Sequence, residues 1–113
     1  MSINRYTFFL RGIQISRDNL KNYGIDDIWD DKWLPYTEGH SGVIINIMQS
    51  NTGGGDVFIG WVKTYPYTWR DEWETQAVEI NAPDKFKVIE ELRKIGIKFE
   101  DDEVVDMLAG VDM

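Results

Sequence analysis

A chain of 113 residues and 13.2 kDa, 42% hydrophobic and 28% charged, with a formal charge of −8, reads as one domain over 1–113, long enough to bury a core without staples. It has no cysteine and one histidine, His40, which excludes a disulfide framework, thiolate zinc, a cysteine nucleophile and a multi-histidine metal site within one chain. No apolar run is long enough to span a membrane and no signal-peptide segment follows Met1, so a cytoplasmic protein of a bacterial host cell is expected.

From Ile3 to Ile15 the run INRYTFFLRGIQI is rich in β-branched and aromatic residues and reads as a strand, with Gly12 marking a bulge or bend. Ser16 then suits an N-cap before a short helix that ends where Gly24 takes positive φ. In IDDIWDDKWLP, helical spacing puts Ile25, Ile28, Trp29 and Trp33 together and Asp26, Asp27, Asp30 and Asp31 away from them, as a helix stopped by Pro35 or a turn-rich loop. GVIINIMQ (42–49) and DVFIGWVKT (56–64), joined by the glycine-rich SNTGGG, read as a hairpin. Pro66 places TYPYTWRDEW in a loop, and ETQAVEI (74–80) reads as a further strand.

Next comes a helix from about Pro83, with Phe86, Val88, Ile89, Leu92 and Ile95 on its buried stripe, a Glu90–Lys94 surface pair and a Schellman ending at Gly96. A short strand at 97–99 and a helix over 102–109 complete the chain. The order implies an α+β fold: an antiparallel sheet of four to five strands with two to three helices on one face. A ferredoxin-like β-α-β-β-α-β path is one way to thread it.

Charge is unevenly spread. Residues 1–35 balance, residues 36–99 sum to −2, and the segment 100–113 carries −6 with no base. Such a terminus repels phosphate backbones, so nucleic acid is not the expected partner. It attracts a basic protein surface instead. Asp101, Asp102, Glu103 and Asp106 are its candidate contact residues.

Other motifs are weaker. His40 and Ser41 are adjacent and point apart on an extended or turning chain, so they make no nucleophile–base pair. Gly53, Gly54 and Gly55 run into a strand rather than a helix, which suits a hairpin turn and not a phosphate loop. The four aspartates at 26–31 lack the D-x-D-x-D-G pattern and read as a solvated face. The densest feature is aromatic: Tyr65, Tyr67, Trp69, Arg70 and Trp73 are residue types that serve both cores and interface anchors.

No cofactor and no metal follow from these residues. A small acidic binding protein without catalysis is expected, one that occupies the basic surface of a larger protein. Abundant Ile, Asn, Asp and Lys, with Ala only at 77, 82 and 109, suggest AT-rich bacteria and their phages, where such proteins inhibit host or defence proteins. The alternatives are a homo-oligomer that sequesters a nucleotide-like small molecule, a small enzyme working through carboxylates and Tyr, and a structural virion protein.

Overall fold

The computed structural model describes residues 4–38, 44–49, 55–68 and 81–112. Four strands form one antiparallel sheet: β1 (Asn4–Ile15), β2 (Asn46–Gln49), β3 (Val57–Thr68) and β4 (Val105–Asp112), in the order β2-β3-β1-β4. The fold is α+β, and this strand order and direction match the ferredoxin-like path. The first crossover departs from a regular helix. It runs through a 3-10 helix (Arg17–Tyr23), a second at Asp31–Trp33 and the single-turn helix α1 (Leu34–Thr37). The second crossover carries helix α2 (Lys85–Lys94) and a 3-10 turn at Asp101–Glu103.

Strand periodicity builds the core. Alternate residues Ile13 and Ile15 of β1 lie opposite Ile59 and Val57 of β3, and Ile47 of β2 lies opposite Ile59. These join Val88, Ile89 and Leu92 of α2, with Ile25, Ile28, Trp33, Ile45, Ile97 and Val104, in one buried cluster. Each such aliphatic side chain contributes about 1.5–3 kcal/mol by leaving water.

The opposite face of β1 presents Phe8 and Leu10, both buried, so this strand is apolar on both faces, as expected of a central strand. Phe58 pairs in register with Gln14, six residues beyond Phe8. Six extended residues span roughly 20 Å, yet the Phe8 and Phe58 rings are 5.9 Å apart. The sheet therefore folds sharply between them, where Gly12 faces Gly60. A Cβ on Gly12 would lie 2.6 Å from Gly60 Cα and closer still to the Ile59 carbonyl oxygen. This pair needs glycine for close approach.

Capping fixes α2. Asp84 is its N-cap, and its Oδ1 accepts the Phe86 N–H at 2.7 Å, so Pro83 stands before the cap rather than in the first turn. At the other end Ile97 N–H donates to Leu92 O and Gly96 N–H to Arg93 O, with Gly96 at φ 94. That is the expected Schellman ending. The Glu90–Lys94 pair also forms, at 3.5 Å. Asp84→Ala is expected to cost about 1 kcal/mol in chemical denaturation, while Asp84→Asn, which keeps an acceptor, should cost far less.

Several expectations are corrected. Residues 102–109 are not a helix: Val104 and Val105 lead into β4, whose pairing with β1 from Gly12 to Arg5 overrides the helix-favouring Met107, Leu108 and Ala109. Residues 97–99 are not a strand: Ile97 N–H closes the end of α2 on Leu92 O, and Lys98 N–H donates to Tyr23 O. β3 passes through Pro66, opposite Tyr6, instead of ending before it. Among the described residues β2 pairs only with 57–60, so beyond Gly60 this stretch of β3 has β1 on one side and can hold a residue with no N–H to give. Pro35 does not stop a helix but sits in the first turn of α1. Phe86 is 78% exposed, off the buried stripe. The strand read at 74–80 lies outside the described residues.

Candidate functional site

Two surfaces stand out: a turn that presents Trp29, and a polar cleft between the first 3-10 helix and the end of α2.

The turn is built from its aspartates. The Asp27 carboxylate accepts the Trp29 N–H at 2.9 Å, and that of Asp30 accepts the Lys32 N–H at 3.3 Å. Backbone bonds from Asp30 N–H to Asp27 O and from Trp33 N–H to Asp30 O close successive turns. Such side-chain-to-backbone bonds are why Asp favours turns over helix interiors. Ile25, Ile28 and Trp33 are buried and pin both ends, whereas Trp29 is 72% exposed. Helical spacing groups Trp29 with those three, but the segment folds as turns and that spacing does not apply. Asp26, Asp27, Asp30 and Asp31 are all exposed around it, and the Lys32 ammonium sits 4.8 Å from the centre of the Trp33 ring.

The cleft, of about 620 Å³, is lined by Asn19, Asn22, Tyr23, Arg93, Ile97, Lys98, Phe99, Glu100 and Glu103. Gly24 allows the chain to turn back after the 3-10 helix, with φ 84. Lys98 N–H donates to Tyr23 O at 2.9 Å and joins the two walls. The Tyr23 hydroxyl donates to Glu103 Oε1 at 2.7 Å, while Glu103 Oε2 accepts the Glu100 N–H at 2.8 Å and the Glu100 carboxylate caps the Glu103 backbone. The hydrogen bond to Glu103 holds the Tyr23 phenol above its ordinary pKa, with burial adding to the effect. Arg93 lies over the Phe99 ring and pairs with Asp101.

The residues singled out in the acidic segment are dispersed rather than gathered. Asp101 is paired with Arg93 and Glu103 is tied into the turn. Asp106 on β4 binds Arg11 through two bonds, at 2.8 and 3.0 Å, and Arg11 also donates to Pro83 O at 2.9 Å. That pairing lowers the Asp106 pKa and raises that of Arg11. Asp102 alone of the four is exposed without a partner among the described residues. Of the aromatic stretch, Tyr65 and Tyr67 lie on β3, opposite Thr7 and Arg5. Trp69, Arg70 and Trp73 lie outside the described residues, as do His40, Ser41, Gly53 and Gly54.

No family model, no curated protein and no solved structure matches this chain. Among the described residues no group of three His, Asp or Glu side chains is arranged to hold a metal ion. No helix there is long and apolar enough to cross a membrane.

Proposed function

We propose that this chain is a non-catalytic binding protein that occupies a basic surface on a larger protein. The observation that carries this reading is Trp29, held outward on a hydrogen-bonded turn among four exposed aspartates. Tryptophan buries a large area with few rotatable bonds and is enriched among residues that dominate binding energy. A turn already fixed by its own hydrogen bonds loses little further freedom on docking. The aspartates, opposed locally only by Lys32, speed encounter with positive charge and disfavour acidic competitors. The turn thereby takes the steering role expected of the acidic segment, where three of the four carboxylates are committed within the chain. Composition alone supports a partner among the host or defence proteins of a bacterium.

Trp29→Ala tests this. The variant is expected to keep its melting temperature, since an exposed side chain changes stability by only about 0.5 kcal/mol. Affinity for the partner should fall by about thirtyfold or more, the level of a hot-spot residue. Tagged wild type and Trp29→Ala are compared for the larger protein that each retains at low and at high salt. Equal retention by the two, or retention unaffected by salt, overturns the reading.

A further inference from the structure

We propose that the cleft between residues 19–23 and 93–103 is a binding site for a small zwitterion of the free amino acid or short peptide class, carrying an apolar side group. This inference is independent of the Trp29 surface.

Charge balance makes the argument. The chain as a whole is strongly acidic, yet the cleft is lined by two cations, Arg93 and Lys98, and two carboxylates, Glu100 and Glu103. A ligand of either single sign would therefore meet as much repulsion as attraction, while one bearing both signs can match both. The groups are not equally engaged. Arg93 is held by Asp101 and the Phe99 ring, and Glu103 by the Tyr23 hydroxyl and the Glu100 N–H. Lys98, Asn19 and Asn22 have side chains with no partner among the described residues. An ammonium and two carboxamides are good donors for a carboxylate. Glu100, which spends an acceptor on the Glu103 N–H, has a second oxygen to offer an ammonium group.

The frame is fixed in advance. The Lys98 stem runs past Gly24, close enough that a Cβ there would lie 3.5 Å from Lys98 Cγ. Ile97 and Phe99 supply apolar lining, and the volume of about 620 Å³ exceeds that of a single ion and falls in the range of small-molecule sites.

Glycyl-phenylalanine is the probe, compared with its N-acetylated, C-amidated and doubly blocked forms by titration of backbone amide NMR signals. The free dipeptide is expected to give saturable shifts at Asn19, Asn22, Lys98 and Phe99, with each single block weakening binding by about tenfold. Lys98→Met keeps the stem and should weaken only the forms with a free carboxylate. Glu100→Gln keeps the cap acceptor and should weaken only those with a free amine. Equal binding of the doubly blocked and free dipeptides overturns the proposal. So does a response confined to one end of the ligand, or no response localised to the cleft.

Discussion

Gly12→Ala is expected to lose at least about 3 kcal/mol of stability, and a variant already near its threshold will not fold. The added methyl meets the Gly60 Cα and the Ile59 carbonyl, both backbone atoms of the paired strand. Neither can rotate away, so relief requires the strands to part where the sheet is creased. Gly60→Ala should behave alike, since its Cβ would face Gly12 Cα at 2.6 Å. Gly96→Ala is the matched control. Gly96 has φ 94, and a Cβ there would meet nothing within 4 Å, so only the conformational cost of about 1 kcal/mol applies. Urea denaturation of the three variants separates close packing from backbone preference. A Gly12→Ala loss no larger than that of Gly96→Ala would show that the crease can open cheaply.

Trp33→Ala should cost about 3–5 kcal/mol, because a fully buried indole leaves a cavity that its neighbours fill only in part. Trp33→Phe should cost much less, about 1–2 kcal/mol, because most of the ring volume stays. The Trp33 Nε1–H is buried and has no hydrogen-bond partner among the described residues, and Phe removes that donor along with part of the ring. Losing an unsatisfied group offsets some of the lost packing. Comparable melting temperatures for the Ala and Phe variants would mean that the ring volume does not support the core.

The contrast between these two sites also explains how much is legible in the sequence. The β1 strand, the hairpin and α2 can be read because local pattern and tertiary pairing agree there: apolar alternation in isoleucine-rich strands, and a stripe ended by Gly96. Gly12 can be read as a bend, though its partner Gly60 cannot, since register comes from pairing between strands far apart in sequence. β4 reads as a helix because Met107, Leu108 and Ala109 suit one in isolation, and only the open side of β1 makes them a strand. Trp29 misleads for a related reason. The Asp pairs around it direct the backbone into turns, and that signal competes with helical spacing within the same short segment. The cleft has no linear signature at all: Asn19, Asn22, Lys98 and Glu100 are brought together across walls joined by the Lys98 N–H to Tyr23 O bond and by the Tyr23 hydroxyl on Glu103.

The position of β1 between β3 and β4 has a consequence for synthesis. Arg5 pairs with Tyr67 on one side and with Asp112 on the other, so the two flanks of the same strand are completed at different times. A nascent chain that has released Thr68 can already form the β1–β3 ladder, but the far side of β1 waits until Asp112 has emerged as well. At about 5–20 residues per second that interval is roughly two to nine seconds, far longer than a hairpin takes to form. During it the β4-facing edge of β1 stays unpaired, and Arg11 still lacks the Asp106 carboxylate. The hazard period for aggregation thus falls late in translation, and slower codons there would lengthen it.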